Sequence, residues 1–471
     1  MRKAYKILIL GCFSSGVLIS CSVGKKYERP EIDTPDTFYG ATEVALTADS
    51  IQLPWKTFFK DPKLIALIDT ALVRNADFNT ALKSVAQAEL SLKNAKKSIL
   101  PSISIAASGN RTWPSKNSLN GSLTEEFIGT KYIDDYAVSG NLSWEVPLWG
   151  KFSLQKAASN ANYMATRANW VAVKTRLITQ VAQGYYQLIA LDAQLRIAKE
   201  NDELSKCTLA MMELQFESGQ INAVAVAQAK AQQKTAELLI PLYEQNITIQ
   251  ENALNILLGR FPQAIVRANS LAEVFPEEVP VVVPSVLLSR RPDVRAAEFS
   301  YMAANAQTGL QKAAMYPSLT IAPQYGLNSY QFDTWFDMPG SITKMVAASI
   351  AAPLFQGGKL KAAYKSALLD QQKAAIEFQQ TFMTAVGEVS DALATIEGSS
   401  KRMELVTEKG TALEKASTDA VKLFNNGMVT YLDVITAQNS KLQNDLEQIS
   451  IQLDQLNAFS ELYRALGGGI E

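Results

Sequence analysis

Two stretches of this chain run for more than sixty residues without a proline: Phe152 to Glu217, interrupted only by Gly184, and Lys359 to Asn425, with Gly387, Gly398 and Gly410. In the first, Leu177, Val181, Gly184, Leu188, Leu191, Leu195 and Ala198 keep the alternating 4-3 spacing of a coiled-coil seam. Both predict single helices on the order of 100 Å long at 1.5 Å rise per residue. Ordinary globular helices are three or four turns, so rods of this length must pack along neighbours. Gly219 and Gly427 end them, and returning helices follow over Asn222 to Leu258 and Thr430 to Leu466, each stopped by a glycine, Gly259 or Gly467. Shorter helical patterns cover Ala76 to Ser98 and Val294 to Ala314.

After Pro101 and Pro317 the period changes from 3.6 to 2. Tyr136, Val138, Leu142, Trp144 and Val146 alternate with Ser139, Asn141, Ser143 and Glu145. Leu319, Ile321, Tyr325 and Leu327 alternate likewise with Thr320, Gln324 and Asn328. Strands of about ten residues, apolar on one face and polar on the other, fit a membrane barrel. Half-buried strands of a soluble sheet read the same way. Polar, aromatic-dotted loops join the paired strands over about 111–131 and 329–341.

The chain is written twice. Phe216-Glu217-Ser218-Gly219 returns as Phe424-Asn425-Asn426-Gly427, and Leu257-Leu258-Gly259 as Ala465-Leu466-Gly467, both 208 residues later. Upstream, Pro147-Leu148-Trp149-Gly150-Lys151 corresponds to Pro353-Leu354-Phe355 with Gly357, Gly358 and Lys359, and Leu100-Pro101-Ser102 to Tyr316-Pro317-Ser318. Each half therefore holds a helix, a strand pair and a long helix hairpin. Two strand pairs give four strands, which cannot close, and open edges cannot face lipid because each unpaired backbone group costs several kcal/mol. The smallest membrane barrels have about eight strands. Copies must assemble; a dimer or a trimer satisfies this argument.

Composition narrows the function. Across 471 residues, 47% are hydrophobic and 19% charged, which excludes intrinsic disorder, and a formal charge of −1 gives no basic footprint for nucleic acid. The chain contains no histidine, so His-based triads, HExxH zinc sites and His-ligated haem are impossible. No catalytic residue, metal site or cofactor is expected, and the chain does not read as an enzyme. Arg2, Lys3 and Lys6 precede an apolar run ending in Leu18-Ile19-Ser20-Cys21, which looks like a lipobox. Residues 1–20 are then a lipoprotein signal peptide and Cys21 the lipid attachment site. Cys12 leaves with that leader, and the remaining Cys207 is expected as a small buried residue of a helix.

Val283-Pro284-Ser285-Val286-Leu287-Leu288-Ser289-Arg290-Arg291-Pro292-Asp293-Val294-Arg295-Ala296-Ala297-Glu298 closely resembles the hallmark of the TolC-like outer-membrane efflux proteins, in the lipoprotein branch serving resistance-nodulation-division pumps. Gly309, Tyr316-Pro317-Ser318 and Thr430-Tyr431-Leu432-Asp433-Val434 continue the match, which spans essentially the mature chain. Read from the residues alone, the Arg-Arg-Pro-Asp stretch is a helix start, with proline in the first turn and Asp293 beside it.

The resemblance implies a mainly α fold with a membrane β-barrel part: a homotrimer whose twelve-stranded β-barrel stands on an α-helical barrel. The corresponding segments are an N-terminal tether and equatorial segment at 21–75, a first repeat at 76–259 (strand pair about 101–148, hairpin about 150–258), and an inter-repeat equatorial segment at 260–291. A second repeat follows at 292–467 (strand pair about 317–355, hairpin about 357–466), with a C-terminal tail at 468–471. It implies a passive conduit exporting small molecules such as drugs, toxic compounds or metals, lipid-anchored in the bacterial outer membrane and extending into the periplasm. Its partners would be a periplasmic adaptor protein, an inner-membrane resistance-nodulation-division transporter and outer-membrane lipid. The alternatives are the exit duct of a type I secretion system and a non-pore coiled-coil lipoprotein. The resemblance also places a periplasmic gate at Asp433, with Thr436 one turn on and Val429 where relatives carry Arg. Ala225 stands opposite Asp433 in the first half. The turns at Phe216, Gly219, Phe424 and Gly427 would dock the adaptor. Pro241, where the second half has Ile449, is expected to kink the first returning helix.

Overall fold

The computed structural model describes residues 23–39, 54–123, 126, 129–275 and 290–468. The leader, Cys21 and the Val283–Ser289 part of the hallmark lie outside the described residues. In chain order the elements are α1 (Trp55–Phe58), α2 (Pro62–Arg74), α3 (Ala76–Lys97), β1 (Ser102–Thr112), α4 (Leu119–Leu123), β2 (Ile133–Glu145), α5 (Lys151–Glu217) and α6 (Ala223–Leu257). After a 3-10 turn at Leu271–Val274 come α7 (Pro292–Ala313), β3 (Ser318–Ser329), β4 (Ile342–Ala351), α8 (Lys359–Asn425) and α9 (Tyr431–Ala465).

The duplication holds residue for residue in the hairpins. Helices α5 and α8 are both 67 residues long and α6 and α9 both 35, at a constant offset of 208. Their ends are made the same way. Gly219, Gly259, Gly427 and Gly467 all adopt φ between 68° and 81°. At the last of these, Gly467 N–H donates to Arg464 O and Gly468 N–H to Tyr463 O, the paired bonds that satisfy the final carbonyls of a helix. Two positive-φ residues precede each long helix: Trp149 (59°) and Gly150 (71°), then Gly357 (58°) and Gly358 (81°). A left-handed tryptophan costs about 1–2 kcal/mol. Its indole N–H offsets this by donating to Pro317 O at 2.7 Å, with the ring against Tyr316.

The chain divides into two compact units, each drawing on both repeats. One comprises Gln87–Met164 and Phe299–Ile376 with the described part of Met1–Pro30. It holds a four-stranded antiparallel sheet in the order β1-β2-β3-β4. Register sorts the side chains as the alternation predicts. Ile105 lies opposite Gly140, Val138 opposite Leu327, and Tyr325 opposite Lys344, which puts the apolar residues of all four strands on one face. Ser104 opposite Asn141, Asn141 opposite Gln324, and Thr320 opposite Ser349 mark the polar face. The apolar face is bare: Ile103, Ile105, Val346 and Ile350 are each about three-quarters exposed or more. The described start of the chain is fastened in this unit, where Val23 N–H donates to Trp149 O and Gly24 packs on Leu154 and Gly309.

The other unit comprises Glu31–Ala86, Ala165–Glu298 and Glu377–Glu471. The seam predicted in α5 is its core: Leu177, Val181 and Leu188 are buried, packed with Trp55, Phe58, Leu64 and Ile68 from α1 and α2, and Ala198 is buried farther along. Gly184 lets α6 come close, since a Cβ there would touch Leu254 at 3.2 Å. Tyr185 donates to the Asp61 carboxylate and accepts from Ala268 N–H. Phe378, Phe382, Val389 and Leu462 form a second cluster with Val294. The starts of α3 and α7 are pinned to the ends of the returning helices by different chemistry at equivalent points. Asn75 Nδ2 donates to Leu257 O at 2.8 Å, while Arg291 Nη1 donates to Ala465 O at 3.3 Å. Arg291 is buried and ion-paired with Asp293 at 2.5 Å and Glu388 at 2.6 Å. The Arg-Pro-Asp stretch is a structural pin, as its residues read alone suggest.

Two details are settled locally. Pro241 lies on the exposed side of an uninterrupted α6. Cys207, expected as buried, is exposed: it falls on the outer side of α5, away from the seam.

The four terminating glycines separate backbone strain from crowding. A Cβ at Gly219 would meet nothing within 4 Å, whereas one at Gly259 would lie 2.4 Å from Arg74 O. Gly219→Ala should therefore cost about 1–2 kcal/mol, the price of φ alone, and Gly259→Ala clearly more. Thermal unfolding of the two purified variants checks the order; equal losses would contradict it.

Candidate functional site

The hairpin turns and the first turns of the returning helices form the candidate site, all within the second unit. Both turns reverse the chain through a left-handed glycine, and the next problem is capping the returning helix. The two copies solve it differently. In the first, Asn222 caps α6 itself, its Oδ1 accepting from Ala225 N–H at 3.0 Å. In the second, the Thr430 N–H and hydroxyl both donate to Asp433 Oδ2, at 2.8 and 2.7 Å. The carboxylate three residues into α9 thus reaches back to the helix start, the carboxylate half of a capping box. This explains why Ala225 suffices where the second half needs Asp433.

Asp433 is exposed, and its carboxyl is held below the ordinary carboxylate range by the Thr430 hydroxyl and then the Thr430 amide. Thr436 is exposed one turn on, its hydroxyl donating to Leu432 O. Val429 is half-buried against a cluster of Met212, Ala229, Phe424, Tyr431 and Val434. That cluster joins the two hairpins, and burial pushes the Tyr431 phenol up to about 12.

The four turn residues are not equivalent. Phe216 is 46% exposed, whereas Phe424 is 8% exposed, its ring set against Tyr431. The second turn instead presents Met428 and Leu432, at 72% and 59% exposure. Between the turns lies a cleft of about 500 Å³, lined by Gln215, Gln220, Asn222, Asn425 and Thr430 among others. Farther along, the hairpins are bonded by neutral side chains. Gln232 Nε2 donates to Asn439 Oδ1 at 2.7 Å, and Gln438 Nε2 to the buried Thr208 hydroxyl at 3.2 Å. No sequence signal singles out these polar residues, since long helices carry many glutamines. The Thr430-x-x-Asp433 spacing, by contrast, was open to reading as a cap.

Among the described residues no group of three or more Cys, Asp or Glu side chains could hold a metal ion, and no helix is long and apolar enough to cross a membrane.

The model of the outer membrane efflux protein family matches residues 67–260 and 283–468. The solvent efflux pump outer membrane protein SrpC of Pseudomonas putida is 30% identical over 472 residues, covering 98% of each chain. The cation efflux system protein CusC of Escherichia coli is 29% identical over 459 residues, covering 96% of each. Among solved structures, the open state of the Neisseria gonorrhoeae MtrE outer membrane channel superposes with a TM-score of 0.83 at 26% identity, covering 96% of this chain and 99% of that one.

The cap sets a pH dependence. A carboxyl held low in the folded state stabilises it fully above the unfolded value and loses that contribution as pH falls through the folded one. The protection factor of the Thr430 amide, which donates to Asp433 Oδ2, should be raised near neutrality and fall below the usual carboxylate range, and Asp433→Ala should lower it at neutral pH. Unchanged exchange in that variant would refute the cap.

Proposed function

The chain belongs to the outer membrane efflux protein family, and on that premise we propose that it is one subunit of a homotrimeric outer-membrane conduit in a tripartite efflux system. The observation that carries this reading is the sheet. Among the described residues β1 and β4 each have one neighbour, and the face they share is apolar and bare. Three copies supply twelve strands, each β1 meeting the β4 of the next copy, so the apolar face meets lipid and the polar face lines a water-filled lumen. The helix hairpins of the three copies wall the periplasmic passage.

Transport through such a conduit is passive, and no catalytic step is assigned to the chain. Driving force and substrate choice belong to a resistance-nodulation-division transporter in the inner membrane, joined through a periplasmic adaptor. Cargo is of the small-molecule class; the relatives named above carry solvents and cations in their names. Cys21 is the proposed lipid attachment site, close in sequence to Val23 and its bond to Trp149 at the entry to α5.

Asp433, Thr436 and Val429 are proposed to border the periplasmic aperture. Asp433 then has two roles, capping α9 and presenting one carboxylate per copy, three per trimer, to passing cations. The adaptor docks on the turns at Phe216, Gly219 and Gly427. The buried Phe424 supports the second turn from behind, and Met428 and Leu432 supply its apolar surface. The Gln232–Asn439 and Thr208–Gln438 bonds hold the hairpins together in the closed arrangement.

Planar-bilayer recording of the purified assembly tests the reading. Wild-type protein should give small or infrequent conductance steps, and Gln438→Ala combined with Asp433→Ala larger or longer ones. A lasting absence of pores from both proteins, with the assembly inserted, would refute the conduit.

A further inference from the structure

The outward face of the sheet is apolar except at its loop end, where loops 113–132 and 330–341 join the strands. There it carries Arg111 on β1 and Lys344 on β4. Lys344 is exposed and has no ion-pair partner among the described residues; its ammonium lies 5.8 Å from the Tyr325 ring. An unpaired lysine on a lipid-facing strand costs about 2–4 kcal/mol at mid-membrane and nearly nothing at the interface. Its position fits the membrane boundary, where lipid phosphates are within reach. Arg111 is held rigidly, with Nε and Nη2 on the two Asp134 oxygens at 2.6 and 2.7 Å and the guanidinium 3.9 Å from the Tyr132 ring. That pairing leaves Nη1 without an Asp134 contact. Tyr136, Phe332 and Trp335 pack beside it as an aromatic rim.

Arg111 is the penultimate residue of β1 and Lys344 the third of β4. These are the two edge strands, so in one chain the residues stand at opposite sides of the sheet. Closing the barrel with strand ends level brings Arg111 of one copy beside Lys344 of the next. They are then about one strand spacing, ~4.8 Å, apart across the seam and within about one residue along it.

We propose that Arg111 and the neighbouring copy's Lys344 form an intersubunit site, one per seam, for the phosphate of an anionic glycolipid in the outer leaflet. The inference rests on the conduit reading, which supplies the closed barrel and its orientation. The guanidinium, fixed by Asp134, gives a directed donor, and Lys344 gives a mobile charge on a stem that lies along the apolar face. The aromatic rim sits where sugar meets acyl chain. The site would tie adjacent subunits through a shared lipid rather than through a direct contact.

The full-length assembly can be reconstituted in phosphatidylethanolamine vesicles doped with bis-phosphorylated lipid A or with its dephosphorylated form. After extraction, native mass spectrometry counts retained glycolipid while bilayer recording reports the pore. Wild type should retain the phosphorylated lipid, about one per subunit, and not the dephosphorylated one. Lys344→Gln should weaken retention roughly tenfold or more with conductance unchanged. Arg111→Lys, which keeps the charge but not the Nη1 donor held in place by Asp134, should weaken it by less. Equal retention by Lys344→Gln and wild type in a conducting assembly overturns the site. Release by millimolar inorganic phosphate reassigns it to free anions and overturns the lipid assignment. A wild type that inserts without conducting overturns the conduit reading, and this one with it.

Discussion

Among the described residues β1 and β4 have no strand on their outer sides, and the apolar face beside those edges is exposed. Water could satisfy the edges but not the face; lipid could cover the face but not the edges. The proposed assembly, in which neighbouring copies bring matching edges into the same membrane, satisfies both. The rest of the structure can be seen as serving that requirement. Strands must enter and leave at one end, so the chain turns sharply at Trp149 and Gly150, and again at Gly357 and Gly358. The long helices begin at once, and their seams are buried against neighbours along most of their length.

Duplication supplies the material for a ring, and the places where the copies differ show how one geometry is met by different side chains. Asn75 and Arg291 reach equivalent carbonyls, one as a neutral amide and the other as a buried cation held by Asp293 and Glu388. A buried guanidinium must keep its partners, since breaking such a pair costs about 3–5 kcal/mol. Asn222 and the Thr430–Asp433 pair cap equivalent helices. The carboxylate that the family resemblance marks as a gate residue has a local structural duty as well. In the proposed conduit a substitution there would change helix stability and aperture charge together, so the two effects must be read by separate measurements.

Most of the fold was legible in the sequence because it rests on strong, local and repeated signals. Proline-free runs and terminating glycines located the hairpins to within a residue, and period-2 alternation located the strands to within about four. Sheet order and register were not legible, since they depend on pairing between strands some two hundred residues apart. The site was legible in part. Thr430 and Asp433 have a spacing that carries meaning, but the inward ring of Phe424, the outward Met428 and Leu432, and the Thr208–Gln438 bond depend on how one hairpin lies on the other. Cys207 misled for a related reason: a helical stretch with a seam on one side says little about a single residue on the other.

The central claim is that copies of this chain complete one another's sheet. It is tested most directly by cysteines at Ala107 on β1 and Ala348 on β4, both small and on the outward face, in a Cys207→Ser background. These positions are at opposite edges within a chain and adjacent only across a seam between copies. Oxidation in outer-membrane preparations should produce covalent dimers and trimers and no larger species, with neither single-cysteine variant producing trimers. Monomer alone after oxidation, across a scan of neighbouring outward positions on both strands, would contradict the account.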